Sequence, residues 1–142
     1  MPATFADQLI EARGGEHVVG IRDQVASSVE DAARLFGLIN ADKYFSIDYT
    51  EAVAVLRAVL HKGMTFGDEL IPLHIATLLA EQFVSQFAQE APLFFTNGSF
   101  GEPSKPPGFG ASWTPATSAD FDSGVLVLTS RRTACAWFME NE

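Results

Sequence analysis

The chain has 142 residues, of which 47% are apolar and 19% are charged, and eighteen acidic against nine basic residues give a formal net charge of −9. This length and composition predict a single globular domain over residues 1–142 that folds without an external staple, and they exclude a disordered acidic tail. The negative charge repels nucleic acid and anionic lipid, so we expect neither as a partner.

Targeting and redox signals point to a cytoplasmic protein. The N-terminal segment contains Asp7 and Glu11 and no early Lys or Arg, so no signal peptide is expected. No apolar run approaches the roughly 20 residues that span a bilayer, so we expect no membrane association. Cys135 is the only cysteine, which rules out an internal disulfide and a zinc site built on cysteine pairs.

The first elements in chain order are a short helix and an ambiguous segment. Thr4, with Asp7 three positions later, is a capping motif that predicts a helix ending at Gly14. Residues 17–25 alternate imperfectly between apolar and polar side chains, so both a strand and a helix remain possible there.

Two further capping motifs predict the next helices. Ser28 with Asp31 begins a helix that is expected over residues 28–40. An aspartate followed three positions later by a glutamate begins another, which is expected over residues 48–62 and ends at Gly63.

The longest helix is predicted over residues 72–90, with Pro72 in its first turn. Leu78 lies among the polar residues of its outer face, where a single exposed leucine is ordinary or belongs to a contact patch. The side chains expected to face the core are Leu73, Ile75, Leu79, Phe83, Val84 and Phe87.

The last part of the chain has the composition of strands. Residues 92–96 predict a short strand, and residues 124–130 and 133–139 predict a C-terminal hairpin. The first hairpin strand is apolar on both faces, which is typical of a covered central strand. The expected fold class is therefore α+β, with N-terminal helices packed on a small antiparallel sheet that ends in a C-terminal β-hairpin.

The segment over residues 97–120 is rich in Gly and Pro and predicts a long loop, which is the best location for a site. Its aromatic side chains either anchor an interface with a polar rim or fold back over the hairpin. The candidate binding residues are the aromatic Phe100, Phe109 and Trp113 and the acidic Glu102, Asp120 and Asp122.

The acidity of the second half suggests a function. Between residues 63 and 130, seven carboxylates accompany one basic residue, Lys105, and if they gather beside the loop they would steer a basic protein partner. Solubility alone is the alternative explanation. In size and charge the chain is like small immunity or inhibitor proteins that neutralise cationic toxins, although no motif matches one such family. The predicted function is that of a non-catalytic acidic binding protein, and we expect no catalytic residue, metal or cofactor.

Two other functions remain open. A small metal-dependent hydrolase would use His61, Asp68, Glu69 and His74, although two histidines thirteen positions apart do not have the spacing of a helical metal pair. A dimeric assembly factor or secretion-type chaperone would bury Leu78 and the aromatic loop against a second copy or a client. Cys135 lies in a predicted hairpin strand, where a free cysteine usually behaves as a buried hydrophobe.

Overall fold

The fold is a helix-covered antiparallel sheet, seen in a computed structural model that describes residues 5–38, 44–97 and 116–141. Within these residues, five strands form one sheet in the order β1-β5-β4-β3-β2, with every neighbouring pair antiparallel. The predicted α+β class and the C-terminal hairpin are confirmed. The strands are β1 (Glu16–Arg22), β2 (Phe45–Ile47), β3 (Leu93–Thr96), β4 (Phe121–Leu128) and β5 (Thr133–Glu140).

Capping residues set the beginnings of two helices as predicted. The Ser28 hydroxyl accepts a hydrogen bond from the Asp31 backbone N–H at 3.1 Å, and Asp48 and Glu51 form a reciprocal capping box. None of the helices in the described ranges has the length and apolar character needed to cross a bilayer. The helices are α1 (Phe5–Arg13), α2 (Val29–Leu35), α3 (Tyr49–His61) and α4 (Leu73–Ser85), with a 3-10 turn over Ala88–Glu90.

Two predicted helix ends were wrong. Helix α2 ends at Leu35 rather than near residue 40, because Gly37 adopts a left-handed φ of 77° that stops the helix. Helix α4 ends at Ser85, and the 3-10 turn completes the segment that was expected to be helical to residue 90.

Both faces of the sheet are covered, as the apolar pattern of β4 predicted. Val125 and Val127 belong to a core formed with α3 and α4. Leu126 and Leu128 point to the other face, where they pack in a smaller core with α2. Within the described residues, the sheet therefore has a core with α3 and α4 on one face and the short helix α2 on the other.

The predicted inward face of α4 was partly wrong. Phe83 and Val84 are buried, but Leu73 is 53% exposed and Ile75 is also exposed. The residues that contact the core earlier in the helix are the small Ala76 and Ala80. Small side chains let α4 approach α3 and α1 closely, which leaves larger apolar side chains on its outer face.

Candidate binding site

A cleft of about 530 Å³ lies at one end of the sheet, where β1 and β4 begin and β5 ends. It is bordered by the turn between α1 and β1, the loop between α3 and α4, and the last residues of β5. Among the described residues that line it, three are carboxylates, Glu16, Asp68 and Glu140, and one is a guanidinium, Arg13. The cleft is therefore acidic.

The loop between α3 and α4 is held in shape by its own backbone. The Gly63 N–H donates to the Asp68 carbonyl at 2.8 Å, and the Gly67 N–H donates to the Gly63 carbonyl at 3.0 Å. Gly67 has a φ of 71°, a conformation that favours glycine. These bonds place Phe66 at the tip of the loop with 83% of its surface exposed. Phe66 is thus a large apolar side chain presented to solvent by an ordered turn.

An ion pair anchors this loop to the sheet. The Arg13 Nη2 atom lies 2.6 Å from the Glu140 Oε2 atom, and Arg13 Nε donates to the Val59 carbonyl at 2.8 Å. Glu140 also accepts hydrogen bonds from the backbone N–H groups of Met64 at 2.8 Å and Thr65 at 3.2 Å. One carboxylate therefore links α1, β5 and the start of the Phe66 loop.

The surroundings of the pair keep both groups charged. Burial acts to raise the pKa of Glu140, but the N–H donors of Met64 and Thr65 and the charge of Arg13 outweigh it, so the pKa lies below its usual value. Burial lowers the pKa of Arg13 although Glu140 opposes this shift. The guanidinium is still protonated at neutral pH, because the ordinary arginine pKa is far above 7. Arg13 and Glu140 thus neutralise each other, and Glu16 and Asp68 supply the negative charge of the cleft.

The structure places the predicted binding residues in different surroundings. Asp120 is exposed, and its backbone N–H donates to the side-chain oxygen of Asn141 at 3.0 Å, which places it beside a residue of the cleft. The other residues proposed from the loop, except Asp122, lie outside the described residues; they are Phe100, Glu102, Phe109 and Trp113.

Asp122 was expected to carry a surface charge for binding. This expectation is wrong, because Asp122 is fully buried. Its carboxylate accepts hydrogen bonds from the backbone N–H groups of Ala116 and Thr117, from the Thr117 hydroxyl, from the Asn97 amide and from the Trp137 indole, at 2.7–3.1 Å. These donors replace water around the carboxylate, which makes Asp122 a structural residue at the start of β4.

The carboxylates of the second half that the structure describes do not gather in one region, contrary to the expectation; Glu102 lies outside the described residues. Glu90 is buried in an ion pair with Arg132 at 2.7 Å. Glu81 lies in a groove between α3 and α4, and Asp68 lines the cleft. Acidity near the sheet end comes instead from both halves of the chain, with Glu16 beside Asp68.

Comparison with known proteins gives no assignment. No family model, curated protein or solved structure matches this chain. The functional inference therefore depends on the side chains of the cleft and on their chemistry.

The residues of the hydrolase alternative do not form the site that it requires. His61 Nδ1 lies 2.8 Å from the Ile71 carbonyl and 3.8 Å from Glu69. His74 is exposed on α4, and Asp68 lies at the cleft. In the described ranges, which include all four candidates, no three such side chains are grouped so that they could hold a metal ion. The convergence of two imidazoles and a carboxylate that this alternative requires is therefore not present among these residues.

Cys135 is buried as expected. Burial raises the pKa of its thiol well above the ordinary value, and the Sγ atom lies 3.4 Å from the Val18 carbonyl. A buried thiol with a raised pKa is a poor nucleophile, because the thiolate is the reactive form.

Sequence reasoning missed Phe66, Arg13 and Glu140. An aromatic residue between two glycines, Gly63 and Gly67, in a polar connection is a local signal for an exposed loop tip. The Arg13 and Glu140 pair has no such signal, because its members are 127 positions apart.

Proposed function

We propose that this protein is a non-catalytic binding protein of the immunity or inhibitor type, and that it engages a basic protein partner through the acidic cleft. The observation that carries the proposal is Phe66, an exposed aromatic side chain on an ordered loop beside Asp68 and Glu16. Buried aromatic anchors surrounded by a polar rim supply most of the energy of protein interfaces. Carboxylates next to such an anchor select a cationic partner.

The mechanism is electrostatic steering followed by burial of the aromatic ring. The net charge of −9 attracts a basic surface at long range, and this attraction falls as salt is added. At contact, Glu16 and Asp68 pair with Lys or Arg of the partner while Phe66 enters an apolar pocket. The bound chain then blocks the surface that it covers.

The ion pair beside the cleft supports this proposal. The Arg13 and Glu140 ion pair fixes the loop before any partner arrives, so little ordering entropy is lost on binding. We also propose a cytoplasmic location, which is supported by a single cysteine that is buried as a free thiol.

A peptide titration tests the proposal. A fluorescent synthetic peptide of alternating arginine and leucine is titrated with the protein, beside an equally long peptide of glutamate and leucine. We expect binding of the basic peptide only, with weaker binding as salt increases. F66A is expected to weaken binding at least about tenfold, and D68N to weaken it less and mainly at low salt.

Matched variants control for general effects of surface substitution. Val25 is 61% exposed away from the cleft, and Glu30 is an exposed carboxylate on α2. V25A and E30Q are expected to bind like the parent protein. Equal binding of the acidic peptide, or the same affinity for F66A and V25A, would contradict the proposed site.

A further inference from the structure

A second concave surface, separate from the cleft, runs between the outer sides of α3 and α4 and has a volume of about 510 Å³. Thr50, Val53, Ala54 and Arg57 line it from α3, with the spacing i, i+3, i+4 and i+7 of one helical face. Leu78, Glu81, Gln82 and Ser85 line it from α4 with the same spacing. The groove therefore follows one stripe on each helix.

The groove has apolar surface that the fold leaves uncovered. Leu78 is 51% exposed and Tyr49 is also exposed, while Val53 forms part of the floor. Both apolar side chains could be removed from water by a partner that fits the groove.

The charges in the groove are self-complementary. Arg57 and Glu81 both line it, and neither side chain forms an ion pair or hydrogen bond within the described part of the chain. A basic partner would satisfy Glu81 and repel Arg57, and an acidic partner would do the reverse. A second copy of the same surface offers one group of each sign.

We propose that the groove between α3 and α4 is the interface of a two-fold symmetric homodimer. In an isologous interface, each contact occurs twice, so Arg57 of one copy meets Glu81 of the other, and the reverse pair forms as well. Leu78 is covered by the same contact. The groove shares no lining residue with the cleft, so the dimer is independent of the proposed binding function.

Sedimentation velocity over a range of micromolar concentrations tests the dimer. We expect the parent protein to shift from monomer to dimer as its concentration rises, and L78E to remain monomeric. L73E is the matched control, because Leu73 is exposed to nearly the same extent on the same helix but does not line the groove. A parent protein that stays monomeric, or an L73E variant that fails to dimerise while L78E succeeds, overturns the proposal.

Charge reversal tests which residues meet. R57E and E81R each place like charges opposite one another in the proposed contact, so each is expected to weaken dimerisation at least about tenfold. Mixing the two variants is expected to restore dimers, because the carboxylates of the R57E chain then face the guanidinium groups of the E81R chain. A pair within one chain cannot be restored by mixing.

The mixture of the two variants also distinguishes a closed two-fold dimer from other modes of association. Recovery of a species with twice the monomer mass, containing both variants, supports the two-fold contact. Failure of the mixture to associate when both variants keep their folded circular dichroism spectra overturns it. Growth of the parent protein into larger polymers also overturns it, because a two-fold contact closes on itself.

Discussion

Replacing Glu140 with glutamine removes the negative charge from the ion pair that fixes the Phe66 loop. The side chains of Arg13 and Glu140 are 3% and 19% exposed, so E140Q leaves a nearly inaccessible guanidinium without its counter-charge. Removing one partner of a buried pair costs about 3–5 kcal/mol. Because Glu140 retains some contact with water, and because glutamine still offers an oxygen to the Met64 N–H, we expect a loss of about 3 kcal/mol.

A double-mutant cycle measures this coupling by urea unfolding. R13M leaves the Glu140 carboxylate without its partner, and E140Q leaves the Arg13 guanidinium without its partner. The double variant contains neither charge. The free energy of unfolding lost by the double variant is therefore expected to be smaller than the sum of the single losses, by about 2 kcal/mol. Additivity to within about 0.5 kcal/mol would refute the coupling of the two groups.

Three other predictions concern stability. D122A leaves the five donors around this carboxylate without an acceptor, so we expect the free energy of unfolding in urea to fall by more than about 3 kcal/mol. A decrease below about 1 kcal/mol would contradict a structural role for Asp122. G124A places a Cβ atom against the Ala136 carbonyl oxygen of the adjacent strand, so thermal denaturation should show a lower Tm than the parent protein, and an unchanged Tm would exclude this clash. The hydrogen bonds of Arg132 hold the pKa of Glu90 below its usual value, so this carboxylate stabilises the fold fully above the ordinary glutamate pKa and loses that contribution as the pH falls through the lowered pKa. E90Q should therefore flatten the acid limb of the stability profile, whereas an unchanged limb would rule out this linkage.

Local features of the fold were predictable from sequence because they depend on neighbouring residues. The capping motifs of α2 and α3 operate within four positions, so Ser28 and Asp48 mark real helix beginnings. The apolar run of β4 likewise reports its two covered faces directly. The lengths of α2 and α4 were harder, because a helix ends where the backbone or the packing permits, as at Gly37.

The inward face of α4 was not predictable from hydrophobicity. The apolar residues of α4 spread over more than the buried face, so the pattern alone did not distinguish Leu73 from Ala76. Packing decides: Ala76 is buried against the core, and Leu73 faces solvent. Hydropathy indicates whether a side chain prefers water or an apolar environment. The distance between the packed helices determines which side chain is small enough to fit between them.

The candidate site was mostly beyond sequence reasoning because it is assembled from distant segments. Asp122 was expected to be exposed since it is charged, but donors from 97, 116, 117 and 137 surround it. The cleft joins Glu16 to Asp68 and Asn141, which no local pattern connects. Among the predicted residues that the structure describes, Asp120 is the one that lies beside the cleft.

Mapping amide chemical shifts by NMR during titration with the basic arginine and leucine peptide tests the central claim most directly. The cleft is expected to show the largest and saturable changes, at residues 63–70, at Glu16 and at Asn141, with smaller changes for F66A. Changes spread evenly over the acidic surface, or concentrated on α2, would contradict an acidic cleft anchored by Phe66.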